Sequence, residues 1–176
     1  MPTVFTHPAP VLAAGFALGQ NVISLRLLLA GLICSILPDL DVVTFKLGIA
    51  YADTWGHRGA SHSLLFALGA GVFGFLAAPL LKSKRKTAFL LLSGAVAMHI
   101  LLDAMTSGGL GVAFFWPWDE TRYFLPWRPI RVSPLALDKF FSTRGAQVIL
   151  SELKWVWLPF FSLALVIFLT RKACRR

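Results

Sequence analysis

The chain has 176 residues, 57% of them hydrophobic and only 14% charged, with a mean hydropathy of +0.72. Soluble domains are about half apolar and about a quarter charged, so this composition excludes an ordinary soluble globular protein and reads as a helical membrane protein. The formal net charge of +9 invites a nucleic-acid partner, but the placement of the charges along the chain removes that reading.

The N-terminus has no basic stretch ahead of its first apolar run, so it is not read as a cleaved signal peptide. Residues 8–19 are apolar but short, a half-length or steeply packed helix with Gly19, Gln20 and Asn21 as its turn. Full spans are predicted over 22–37, 63–81, 87–105 and 155–169. The two runs of 19 residues, 63–81 and 87–105, would each be ~28 Å of helix. The connections 38–62 and 106–154 are predicted outer loops. The second holds Pro117, Pro126, Pro129 and Pro134, which argue against a long regular helix. It also holds Phe114, Phe115, Trp116, Trp118, Tyr123, Phe124 and Trp127, a density typical of a membrane-interface belt. Residues 138–154 read as a short amphipathic helix leading into the last span. The expected architecture is all-α: a polytopic helical membrane protein with four to five transmembrane helices and an aromatic-rich outer loop, residues 1–176 forming one membrane-embedded domain.

Charges set the expected orientation. Lys82, Lys84, Arg85 and Lys86 lie between two spans, and Arg171, Lys172, Arg175 and Arg176 form the tail. The positive-inside rule puts both groups, with Arg26, in the cytoplasm. The net +9 is then a cytoplasmic-face charge facing anionic lipid, and it needs no nucleic acid. The C-terminus is expected in the cytoplasm, and the polar groups at the other helix ends are expected at the outer face. The first segment leaves two topologies open; if His7 joins those groups, the N-terminus is outside. Cys34 and Cys174 fall on opposite sides, which excludes a disulfide between them.

The chemistry-bearing residues sit in short polar interruptions. His99 and Asp103 are four apart on a helical run, so they share one face. Alone they read as a polar pair at a helix end; deep in an apolar span, where ionisable groups are costly, they read as metal ligands. Pro38-Asp39-Leu40-Asp41 is predicted to break a span and to aim two carboxylates at one cation. A solvated helix end is the plainer alternative, but acidic groups at a helix C-terminus oppose the macrodipole. In Gly56-His57-Arg58-Gly59-Ala60-Ser61-His62-Ser63, Ser61 is the expected N-cap of the next helix, and His62 is placed to reach Asp39 and His99. His57 reads equally well as a ligand or as a loop histidine facing water. Thr106 is one turn beyond Asp103 and is placed to orient its carboxylate. Arg122, Arg128 and Arg131 are phosphate clamps or headgroup anchors.

The ordered set LPDLD, GHRGASHSLL, HILLDAMTSGG and FFWPWDETRYFLP resembles the YdjM-type family of bacterial inner-membrane, predicted metal-dependent hydrolases. The resemblance runs over about residues 5–135 and includes an early histidine. It implies a multi-pass protein of the bacterial inner membrane and a ligand set of His57, His62, His99 and Asp103, with Asp39 and Asp41 from the PDxD element and His7 from the N-terminal histidine. Ser61 stands where many relatives have threonine. The His-x3-Asp element is also similar to one in zinc-dependent phospholipase C and P1-type nucleases, which points toward phosphoesters.

The resulting expectation is a membrane-embedded metal-dependent hydrolase acting on a lipid or lipid-linked phosphoester at the outer face. Zinc is the expected cofactor, with manganese or magnesium as alternatives. Seven ligand candidates allow one or two ions. Asp41 is the expected general base and Arg58 the expected stabiliser of developing charge, with the aromatic loop as roof. A non-enzymatic metal or ion transporter or sensor is the alternative; it would require ionisable groups spread through the depth of the membrane, and the inner halves of the spans are almost free of them.

Overall fold

The computed structural model describes residues 1–133 and 142–174; residues 134–141 and the tail arginines Arg175 and Arg176 lie outside the described residues. It is all-helical, with two isolated β-bridges and no strand among the described residues. The α-helices are α1 (Ala9–Leu18), α2 (Leu25–Ile36), α3 (Leu64–Ala77), α4 (Arg85–Ala104), α5 (Thr143–Glu152) and α6 (Leu158–Ala173). By length and composition three continuous helical stretches can cross a membrane: Leu25–Leu47, Arg85–Ala104 and Thr143–Ala173. Helices α1 and α3 are apolar but shorter.

Two helical hairpins build the frame. Helices α1 and α2 form one, and α3 and α4 the other. The hairpin turns and the tail meet at one end of the bundle. There the Ser24 hydroxyl donates to Leu81 O, Arg26 Nη1 to Leu80 O, and Arg171 Nη1 to Ala17 O. The basic residues Lys82, Lys84, Arg85 and Lys86 belong to this same end. His99 lies 14 residues along α4 from Arg85, or ~21 Å away at 1.5 Å per residue, so the histidine–aspartate end is the opposite one.

Close approach of α3 to α4 depends on two glycines. A Cβ at Gly71 would lie 2.9 Å from Ser93 Cβ, and one at Gly74 would lie 2.7 Å from Ala88 O. Small residues at such crossings let helices pack without a larger side chain between them. The core around Leu27, Leu92, Val96 and Ile100 fills the space between the hairpins. Helix α6 packs on α1 through Ala13, Ala17 and Ala164.

Three local expectations are corrected. The α-helix ends at Ile36, ahead of Pro38 as expected, but the winding does not: α2 passes at Leu37 into a 3-10 segment that runs to Leu47 in place of the expected loop. Proline is tolerated there because it sits in the first turn of the new winding, where its missing N–H is not needed. The N-cap of α3 is Ser63, whose hydroxyl accepts from Phe66 N, and not Ser61. The third apolar run is α-helical only over Leu64–Ala77, and the expected end at 81 falls in the following turn. The expected amphipathic helix is α5, which a π-helical turn at Leu153–Trp157 joins to α6. The two cysteines are both free, Cys34 buried and Cys174 exposed.

Candidate metal centre

Five of the predicted residues converge in the apolar interior, from four separate segments. His7 comes from the turn before α1, Asp39 from the 3-10 segment, His62 from the short 3-10 turn Ala60–His62, and His99 and Asp103 from the last turns of α4. His7, His62, His99 and Asp103 are fully buried, and Asp39 is 6% exposed. One ligand atom from each of Asp39, His62, His99 and Asp103 falls within 4.8 Å of the others. His62 Nε2 is 3.0 Å from His99 Nε2, 3.4 Å from Asp103 Oδ2 and 4.0 Å from Asp39 Oδ1, and His99 Nε2 is 3.6 Å from Asp39 Oδ1. Atoms bonded to one tetrahedral zinc at ~2.0–2.1 Å would stand ~3.3 Å apart, so these separations match a single small cation. His7 Nε2 borders the group, 3.6 Å from Asp39 Oδ2 and 3.7 Å from Asp103 Oδ1, and its ring stacks on His99 with centroids 3.7 Å apart.

The hydrogen bonds around the imidazoles favour a cation. His99 Nδ1 is 2.7 Å from the backbone oxygen of Ser35, so that nitrogen carries the proton and Nε2 presents a lone pair. His62 Nδ1 faces Asp41 Oδ2 at 3.1 Å. With both Nδ1 atoms donating, the two Nε2 atoms would oppose each other lone pair to lone pair, beside two carboxylates. Neither oxygen of Asp39 or of Asp103, and neither nitrogen of His7, has a hydrogen-bond partner. Buried polar groups are nearly always paired, and an unpaired buried charge is costly. The donor set of imidazole nitrogens and carboxylate oxygens therefore fits a divalent metal. The same demand for positive charge shows in the protein alone. Burial disfavours a charged His62, yet the carboxylates of Asp103 and Asp41 beside it override this and raise its pKa to about 9.

Asp41 lies behind His62 and belongs to a second group with His57 and His62. Its carboxylate accepts from His57 Nδ1 at 2.5 Å, Ser61 Oγ at 2.6 Å, Arg58 N at 3.0 Å and His62 Nδ1. His57 is 2% exposed, so it is not a loop histidine facing water. Burial lowers its pKa against the pull of Asp41, which keeps the ring neutral near pH 7 and Nδ1 a donor.

Arg58 is also more constrained than its sequence context suggests. It is fully buried with φ of 65°, a left-handed conformation uncommon for a residue with a side chain. Its Nε stands 2.9 Å from Asp103 Oδ2 as an ion pair outside hydrogen-bond alignment. Nη1 donates to Gly108 O and Nη2 to Thr106 Oγ1. A Cβ at Gly109, where φ is +95°, would lie 2.7 Å from Nη1, so only glycine fits there. Thr106 Oγ1 donates directly to the backbone oxygen of Asp103 and reaches the Asp103 carboxylate only through Arg58. Arg122 clasps the 51–57 loop by donating to His57 O, Tyr51 O and Asp53 O. Arg128 lies over the Phe124 ring, and Arg131 Nη1 donates to Gln147 Oε1.

Sequence reasoning missed the support of this site. Ser35 acts through its backbone oxygen, which leaves no trace in side-chain identity. Glu152 lies 149 residues from Thr3, yet its carboxylate accepts from Thr3 N, Thr3 Oγ1 and Thr6 Oγ1 and so docks the segment carrying His7. An acidic residue at the end of an amphipathic helix, just ahead of the last span, was the available signal for Glu152.

No solved structure matches the chain. The chain is 46% identical over 160 residues to "Inner membrane protein YbcI" of Escherichia coli (strain K12), an alignment covering 90% of this chain and 92% of that protein. The family model described as "YdjM inner membrane protein" matches residues 1–174, and the chain therefore belongs to the YdjM family of inner membrane proteins.

Proposed function

We propose that this protein is a membrane-embedded metal-dependent hydrolase, acting at the periplasmic end of the bundle on a phosphoester of a lipid or lipid-linked substrate. The observation that carries it is the set of donor atoms left without partners on Asp39, Asp103 and His7, facing the Nε2 atoms of His62 and His99. Asp39, His62, His99 and Asp103 would hold the ion, zinc by the donor set. Bound there, a divalent metal supplies the Lewis acidity that activates water for hydrolysis near neutral pH.

The remaining residues divide by what they touch. Asp41 holds His62 by its Nδ1 side and is a positioning residue in this reading, because its oxygens already accept from four donors. Arg58 likewise positions Asp103. His7, partnerless at both nitrogens, is the group left to handle a proton. The periplasmic placement rests on the basic residues gathering at the opposite end of the bundle. Elemental analysis of the detergent-purified protein tests the reading. Wild type is expected to hold a stoichiometric divalent metal and to release phosphate or a phosphoalcohol from a phospholipid only when loaded. The His99→Ala variant is expected to lose both. Full metal content in that variant would overturn the ligand assignment, and a loaded wild type inert to phosphoesters would overturn the reaction class.

A further inference from the structure

A second candidate binding site lies outside the metal centre, where the loop after α4 meets the start of α5. A cavity of about 650 Å³ is lined by the arginines Arg128, Arg131 and Arg144 together with Ser107, Thr143 and Gln147, and by no acidic residue among the described residues. Among the described residues none of these arginines makes an ion pair. Arg131 donates to the neutral amide of Gln147, and Arg128 lies over the face of Phe124. Three guanidinium groups gathered with hydroxyl and amide groups, with no carboxylate among the described residues, suit an anion with several acceptor oxygens. Thr143 opens α5, so the positive end of that helix dipole adds to the field.

The same helical stretch carries an apolar counterpart. A cavity of about 580 Å³ follows it, lined by Leu150, Leu153, Trp157, Leu158 and Phe161 with Lys154. From Thr143 to Phe161 the stretch rises ~27 Å, with cationic and polar side chains at its start and a greasy trough farther on. Trp127 and Trp155 pack edge to face beside it, with ring centroids 4.9 Å apart, as tryptophans do at a membrane–water boundary. We infer that Arg128, Arg131 and Arg144 bind the phosphate of an anionic phospholipid whose acyl chain lies along Leu150–Phe161. A soluble phosphate would need the first cavity only; the apolar trough in line with it is what selects a lipid.

This inference stands apart from the metal centre and can fail without it. The delipidated protein, in detergent and metal-loaded, is titrated with dioleoyl phosphatidic acid, with dioleoylglycerol, which has the same chains and no phosphate, and with inorganic phosphate. Binding is read by native mass spectrometry. Saturable binding of one phosphatidic acid is expected, at least tenfold tighter than dioleoylglycerol and not displaced by millimolar phosphate. The triple variant Arg128→Gln, Arg131→Gln, Arg144→Gln is expected to lose at least tenfold in affinity while keeping its metal, which shows that it is folded. Should the triple variant misfold, Arg144→Gln alone, at an exposed position on α5, is expected to weaken binding severalfold. Unchanged affinity in the variants, or equal binding of dioleoylglycerol, would overturn the site. Full competition by inorganic phosphate would overturn the lipid.

Discussion

Two buried carboxylate sites, one at Glu152 and one at Asp39 and Asp103, are treated in opposite ways. Glu152 is 3% exposed and accepts three hydrogen bonds of 2.5–2.7 Å from Thr3 and Thr6. Trp157 Nε1 adds a donor to Thr6 Oγ1, which closes the network. Asp39 and Asp103 are as deeply buried, and none of their oxygens has a hydrogen-bond partner. The fold is able to supply donors to a buried acid; it does so for Glu152 and again for Asp41. Leaving Asp39 and Asp103 open is what the proposed metal centre requires of its ligands, and the saturated carboxylates serve as scaffolding in that reading. Asp103 has the charge of Arg58 beside it but Asp39 has no cation other than the histidines, so an ion bound there would stabilise the fold as well as complete the proposed site.

The largest effect should come from the residue that serves both purposes. Asp103 faces the metal position and also neutralises Arg58, which is fully buried. Asp103→Ala should abolish metal binding and in addition destabilise the fold by about 3–5 kcal/mol, the penalty for stranding one partner of a buried ion pair. Elemental analysis and thermal melting read the two parts. The sharpest contrast is next in size. Without metal, Asp39→Asn should leave melting unchanged or raise it, because the side chain it replaces has no donor to lose. Glu152→Gln should lower melting by about 1–3 kcal/mol in stability and leave metal stoichiometry intact. If both variants shift melting in the same direction, the division into open and saturated carboxylates is wrong.

Much of this was legible in the sequence, and the reasons are local. An apolar run separated by short polar marks gives a helical membrane protein directly, and the His99–Asp103 spacing on a helix gives a shared face. Convergence of His7 with Asp39 was legible only as a condition on topology; the α1–α2 hairpin is what brings them to 3.6 Å. Partner identity was not legible. Arg58 looks like a free cation in GHRGASHS, and only the fold turns it back onto Asp103. Asp41 looks like the twin of Asp39, two residues away, but the winding change at Leu37 sends the two carboxylates to different neighbours: Asp39 faces the ligand cluster and Asp41 faces the backs of His57 and His62. Ser61 looks like a helix cap because it precedes an apolar helix, and the true cap is two residues on.

The smaller effects lie in the second layer and grade in the order of charge. Asp41→Asn keeps the shape but removes the negative charge that orients His62 through Nδ1. Metal affinity should fall by about 10–100-fold with stoichiometry still attainable at high metal, as expected for a partner one bond removed from the ion. Ser61→Ala removes one of the four donors to Asp41 and leaves its charge in place. Its net worth is about 0.5–1.5 kcal/mol, so a competition titration with a chelator should show a loss of metal affinity of about tenfold at most. Ser61→Thr restores the hydroxyl and should recover wild-type affinity. A loss in Ser61→Ala as large as that in Asp41→Asn would mean that Ser61 touches the ion itself. His62 would then be turned so that Nδ1, which lies 3.0 Å from Ser61 Oγ, is the metal-binding nitrogen, and the binding position would lie on the Asp41 side of its ring.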